Sequence, residues 1–522
     1  MPSVPLTAWP GKRTGTKMLL SGIGLSLAAA MLAVSGSAAA SPGSTTLITD
    51  ALIVDGTGAK AKRGAVRIEG DRIVAVGTLK PQKGETVIDA DGQVLAPGFI
   101  DTHSHHDYGL SETPDAVEAT SQGITTIVVG QDGGSQIPVS TLFEQLAKTP
   151  AALNVATYAG HNSIRYEVMG EDYKRAATPA EVGKMKTLLG ASMDAGALGL
   201  STGLEYDPGI YSTKDEVLTL AKETARLGGR YISHMRSEDQ YIWGALDEIV
   251  EIGKQTGMPV QVSHMKLAMT DWWGQADRFI GVMDRARAAG VKITGDVYPY
   301  EYWQSTLTVM FPKRDFANRE SAEFALKHLA PADGLLLSHF SPDPSLIGKT
   351  VADVAVQRGI APADALMQLI AESQVKDASE GVIGTSMRGD DIAKLIAWPH
   401  SVISSDGTLA GRHPRGTGSF TRILRKYVRE DRLLTLEQAV RKMTGASAEN
   451  VGIGDRGTIK VGQHADLVMF DPATVADRAT TEKPTAQSVG ISRVWVNGTL
   501  VFSDGRPTGN HPGQIVKRAA AR

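Results

Sequence analysis

Eight short apolar stretches separated by amphipathic helical patterns do most to restrict what this chain can fold into. They lie at 94–100, 124–129, 153–158, 197–201, 231–233, 259–263, 292–297 and 401–404. Helical patterns fill the gaps, as at 214–227 and 243–256. Most of the stretches are apolar throughout rather than at alternate positions, which suits a parallel sheet covered on both faces. Eight strand–helix units in succession predict an α/β fold, a (β/α)8 TIM barrel over residues 97–450. The stretch 312–395 is too long for one crossover and reads as an insertion before the last barrel strand. The two ends have a different texture. Residues 41–96 and 451–522 carry short alternating runs with glycine turns, including an Asn497-Gly498 hairpin signal. Strands at both ends around a long middle predict one small β-sandwich domain built from both ends.

Composition removes several chemistries. The chain has 522 residues and no cysteine, which excludes disulfides, cysteine-ligated zinc and a thiol nucleophile. The net charge of −3 gives no reason to expect nucleic acid or an anionic membrane as partner. Lys12, Arg13 and Lys17 precede an apolar run from Met18 to Val34, and small residues follow to Ala40. That order predicts a signal peptide over residues 1–40 and a periplasmic or secreted protein. No stable membrane span is expected once it is cleaved.

Active sites of such barrels lie at the C-terminal ends of the strands. Here those ends carry His103 and His105, then Gln131 and Asp132, His161, Glu205 and Tyr206, His234, His264 and Lys266, Asp296 and Tyr298, and Asp406. Residues i and i+2 of a strand point to one side, so His103 and His105 can aim two imidazoles at one point. Neutral imidazoles and carboxylates gathered at one rim are ligands that zinc prefers.

With these segments in place, the chain resembles the amidohydrolase superfamily, and within it the D-aminoacylase (N-acyl-D-amino-acid deacylase) family. The matching segments include 97–107, 196–211, 229–238, 260–266, 296–300, Ser405-Asp406-Gly407, His413-Pro414-Arg415 and 462–467. The resemblance implies a zinc-dependent amide hydrolase with one or two ions per chain. It implies His103, His105, His234 and His264 as ligands. It implies Asp406 as the group that takes a proton from the attacking water and passes it to the leaving amine. Lys266 and Tyr298 resemble a pair that holds the substrate's carboxylate, apt work for a cation and a phenol. Arg415 either does the same or braces a loop. Tyr206 is expected among the substrate contacts, and His161 in a supporting role beside the site. Trp272, Trp273 and Trp303 flank matched segments and can line an apolar pocket.

The chain departs from the family pattern in three places. The family usually has Asn-Cys-Gly after strand two, with the cysteine on the metal; this chain has Gln131-Asp132-Gly133. Glu205 stands where an apolar residue is common, and His106 replaces an aspartate. A negative group is expected to bridge two metals, and Glu205 is the leading candidate with Asp132 as its rival. The leading function is hydrolysis of N-acyl amino acids, with the stereochemistry open. A metallo-dipeptidase or cyclic-amide hydrolase, acting on a dipeptide-like or cyclic small molecule, uses the same site. A periplasmic metal- or ligand-binding protein is the non-enzymatic alternative, but binding alone would not need Asp406 and Lys266. The oligomeric state is not legible.

Overall fold

The computed structural model describes residues 45–409 and 411–519. The expected signal segment, 1–40, lies outside the described residues. Among the described residues, no helix is long and apolar enough to cross a membrane.

Eight strands form the barrel: Phe99–Asp101, Ile124–Val129, Asn154–Thr157 (continued by Ala159–Gly160), Gly199–Gly203, Arg230–His234, Val260–Val262, Ile293–Val297 and Ser401–Ile403. Neighbours pair in parallel from the first to the third and from Ala159–Gly160 round to the eighth. Leu198 N–H donates to Thr157 O at 2.8 Å where the third strand meets the fourth. The ring closes where Asp406 N–H donates to His103 O (2.9 Å) and His105 N–H donates to Gly407 O (2.8 Å). Ile124–Val129 is buried at every position, as a strand between core and helices must be. Helices such as Lys214–Arg226 and Ile242–Thr256 cover the outside with their apolar stripes.

The stretch 94–100 is two strands rather than the expected one. Val94–Pro97 pairs antiparallel with Leu467–Phe470 in the outer sheet, and Phe99–Asp101 opens the barrel beside Ile124–Val129. The chain changes sheets at Gly98, where a Cβ would lie 2.2 Å from Thr125 Cγ2. Only glycine permits that approach.

Both ends of the chain build one nine-stranded sheet. Strands from 45–97 make one half and strands from 467–507 the other. The sheet curls until Arg72–Gly77 meets the segment before Leu467, with Ile73 N–H donating to Gln463 O at 3.0 Å. The curl encloses an apolar layer that includes Ile48, Val66, Ile73, Leu95, Leu467 and Trp495.

The excursion between the last two barrel strands is a small subdomain. Tyr302–Ser305, Glu380–Thr385 and Leu335–Phe340 form an antiparallel sheet, with Arg319–His328, Val351–Arg358 and Pro362–Ser373 packed beside it. It therefore opens at 302, earlier than the expected 312. It also closes at 385, because Gly389–Ala397 packs on Ala276–Ala288 and is the barrel's own crossover helix. Its short helix Leu307–Met310 lies over the rim where the strand ends converge.

Candidate active site

Asp132 occupies the centre of the rim. Its Oδ2 lies 3.5 Å from His103 Nε2 and 3.3 Å from His105 Nε2. Its Oδ1 lies 3.5 Å from His264 Nε2, whose other near neighbour is His234 Nδ1 at 2.9 Å. The two oxygens of one carboxylate thus face two separate histidine pairs. Asp406 joins the first pair, its Oδ1 3.5 Å from His103 Nε2 and 3.4 Å from His105 Nε2. Three backbones here take left-handed conformations: Asp132 (φ 51°), His264 (φ 32°) and Asp406 (φ 49°). Such strain in non-glycine residues is held by surrounding structure and gathers at functional sites. At Asp132 it turns the side chain into the ring rather than along the loop.

The donor set fits a divalent cation. Both ring nitrogens of His103 and Oδ1 of Asp132 are buried without a hydrogen-bond partner. Burial opposes ionisation of Asp132, yet the His103 and His264 imidazoles hold its carboxyl well below the usual carboxylate range. Burial likewise opposes charging His105, but its contacts to Asp132 and Asp406 carry it up to about 9. Burial and Lys266 oppose charging His264, and Glu238 and Asp132 carry it, too, up to about 9. Protons on these imidazoles balance the buried carboxylates, and a bound cation does the same work while displacing them.

Asp296 braces this ring from below, a role the strand-end reading did not assign. It accepts hydrogen bonds from Gln261 Nε2 (2.6 Å), His264 N–H (2.9 Å) and Ser404 Oγ (2.7 Å), and stands 3.6 Å from His103 Nδ1. A carboxylate behind a histidine sets the ring's orientation. A carboxylate near the end of an apolar strand was the available signal.

On the cleft side, Arg415 Nη1 pairs with Asp406 Oδ2 at 2.6 Å, and its guanidinium lies 4.8 Å over the Tyr298 ring. Burial opposes ionisation of Asp406, but Arg415 and His103 hold it well below the carboxylate range. Tyr298 Oη is buried without a hydrogen-bond partner. Lys266 Nζ donates to Glu238 Oε2 at 2.7 Å, so this cation already has a partner that the strand-end reading missed. Tyr206 packs against the His234 ring at 4.3 Å between centroids. Trp303, Val309, Met310 and Leu329 supply the apolar wall of the cleft.

Some expected residues sit elsewhere. Glu205 reaches only the outer face of His234, with Oε2 2.9 Å from Nε2, and does not lie between the histidine pairs. Asp132, the expected rival, is the carboxylate that does lie between them, a position set by a left-handed turn not visible in the sequence. His161 opens the helix His161–Met169, and its Nε2 lies 2.9 Å from Glu216 Oε1, away from the cleft. His106 is pushed down to about 4 by burial and lies between Ser104 Oγ (2.6 Å) and Gly416 O (3.1 Å). Trp272 Nε1 donates to Asp239 O (2.8 Å) and Trp273 Nε1 to Ser386 O (2.9 Å); neither lines the cleft.

A rim of this kind on a parallel barrel defines the class of metal-site barrel hydrolases, whose chemistry is carried at the strands' C-terminal ends. The model of the Amidohydrolase family matches residues 86–333 and 339–502. N-acyl-D-glutamate deacylase of Alcaligenes xylosoxydans xylosoxydans is 36% identical over 495 residues, 90% of this chain and 96% of that protein. A solved D-aminoacylase with a binuclear metal centre superposes with a TM-score of 0.82 at 33% identity, over 91% of this chain and 99% of that one. N-acyl-D-glutamate deacylase from Bordetella bronchiseptica, solved with zinc and a phosphonate inhibitor, gives 0.81 at 36% identity, over 91% of this chain and 100% of that one. The chain belongs to the amidohydrolase family, in its D-aminoacylase branch.

Proposed function

We propose that this protein is a zinc-dependent hydrolase that removes the acyl group from N-acyl-D-amino acids. The observation that carries the reading is Asp132, whose two oxygens face two histidine pairs while Asp406 completes the first. His103 and His105 with Asp406, and His234 with His264, would hold one or two zinc ions, with Asp132 between them. Zinc, when bound, lowers the pKa of a water and polarises the scissile carbonyl. Asp406 accepts a proton from the attacking water at Oδ1, the oxygen that faces His103 and His105, and delivers it to the leaving amine nitrogen. Its other oxygen stays on Arg415, which fixes the carboxylate's orientation. Tyr298 offers its unpartnered hydroxyl to the substrate's carboxylate, with Lys266 beside it, and Tyr206 closes the His234 side of the cleft. Protein names among the relatives support the D-configured substrate.

The test is a screen of zinc-loaded and chelator-treated protein against paired D- and L-N-acetyl amino acids, dipeptides and hydantoins. Zinc-dependent release of D-amino acids is expected. Turnover confined to dipeptides or cyclic amides would replace this reading. We also propose that the protein acts outside the cytoplasm, supported by the charged, apolar and small-residue order of residues 12–40. Fractionation of expressing cells checks it.

A further inference from the structure

We propose that Glu205 and Glu238 are a pair of positioning residues that decide which ring nitrogens of His234 and His264 face the metal centre, and that Glu238 also sets the place of Lys266. This rests on the reading above that these histidines hold metal.

The inner nitrogens are identified by what they approach. His234 Nδ1 and His264 Nε2 lie 2.9 Å apart, and His264 Nε2 is the atom near Asp132. A neutral imidazole carries one ring proton, and a nitrogen can give its lone pair to a metal only if that proton sits on the other nitrogen. The outer nitrogen of each ring meets a glutamate. His234 Nε2 lies 2.9 Å from Glu205 Oε2, and His264 Nδ1 lies 3.0 Å from Glu238 Oε1. Glu238 Oε1 is buried and makes no hydrogen bond, so it is free to accept one from His264 Nδ1. A carboxylate at the outer nitrogen keeps the proton there and leaves the inner one free.

Lys266 shows why Glu238 is needed. Its ammonium lies 2.7 Å from His264 Nδ1 and can only donate. Left alone with the ring, it would make Nδ1 an acceptor and drive the ring proton to Nε2, the nitrogen that faces Asp132. Glu238 accepts from Lys266 through Oε2 at 2.7 Å, and its Oε1, which makes no hydrogen bond and lies 3.0 Å from Nδ1, is placed to accept from that ring in the lysine's stead. One carboxylate therefore couples the substrate-side cation to the orientation of a ligand. The two glutamates are also linked, since Glu238 N–H donates to Glu205 Oε1 at 3.4 Å. Arg314 tethers the same loop by donating to Glu205 O at 2.7 Å.

The experiment compares Glu205→Ala, Glu205→Gln, Glu238→Ala and Glu238→Gln in the full-length protein. Zinc affinity is read by competition with a chromogenic chelator, with no substrate present, and apoprotein unfolding reports folding. The alanine variants should bind zinc about 10- to 100-fold more weakly. Glu205→Gln, which keeps an oxygen to accept from His234, should return to within a few-fold of the parent. Both Glu238 variants should raise KM for an N-acyl amino acid more than for its amide, while the Glu205 variants raise neither selectively. Parental zinc affinity in both alanine variants overturns the proposal. So does stoichiometric zinc loss in Glu205→Gln, which would make Glu205 a ligand. If Glu238→Ala does not fold, Glu238→Gln and the Glu205 pair decide the matter. A protein that binds zinc as expected but hydrolyses no N-acyl amino acid would overturn the functional reading and leave this one standing.

Discussion

Replacing Asp132 by asparagine removes one negative charge from the point where the two histidine pairs meet, and leaves the shape almost unchanged. Its oxygens stand 3.3 Å from His105, 3.5 Å from His103 and 3.5 Å from His264. A cation held by those rings would sit about as close. Each unit of the dication's charge about 4 Å from the carboxylate contributes roughly 4 kcal/mol at an effective dielectric near 20, and taking one unit allows for charge neutralised by the other groups around it. At about 1.4 kcal/mol per tenfold, that is about three powers of ten in affinity. Asparagine still offers a carbonyl oxygen, so the expected loss is roughly two to three powers of ten. Purified protein is dialysed against a weak chelator, and metal per chain is measured by plasma emission. The parent should retain its zinc, Asp132→Asn should lose most of it, and Glu205→Gln should stay near the parent. Full retention in Asp132→Asn would refute the central place given to this carboxylate.

Three further outcomes are expected. Asp406→Asn should keep the fold and, assayed in excess zinc so that the metal site stays filled, lower kcat by roughly two to four powers of ten, the scale of general acid–base work; single-turnover kinetics with metal analysis checks it. Lys266→Met should harm N-acyl amino acids far more than their amides or esters, and an equal loss on both would assign Lys266 to support of His264 alone. Lys442 is buried against the carbonyls of Trp398 and Ser401, and burial, with Arg441 adding a little, pulls it down to about 7. Unfolded lysine titrates near 10.4. Between those values the unfolded chain binds more protons, so stability should rise with pH across roughly 7 to 10. Thermal unfolding at several pH values should show that rise, and Lys442→Met should flatten it.

Glu238 and Asp296 mark where reading along the chain ends. Asp296 lies on a strand and was visible as a strand-end carboxylate, but its three donors come from Gln261, His264 and Ser404 on two neighbouring strand ends. Glu238 follows His234 in a loop, where no periodicity says which way a side chain turns. It meets Lys266 and His264 only because barrel strands five and six lie side by side. His161 shows the opposite case, a strand-end histidine that a helix start turns toward Glu216 and away from the cleft.

The sequence by itself determined the barrel and the rim. Continuous apolar runs force strands to be covered on both faces, and parallel strands deliver all their C-terminal ends to one side, so His103, His105, His234, His264 and Asp406 had to share a neighbourhood. It also determined, through the absence of cysteine, that no thiolate can bridge there. Only the tertiary structure shows which carboxylate lies between the two histidine pairs. That choice hangs on the left-handed backbone at Asp132 and on distances across the ring, which depend on the barrel's radius and on loops from strands far apart in the chain. Hydrophobic periodicity is local and carries the first kind of information; the meeting of side chains from separate strands is not local, and no pattern along one strand encodes it.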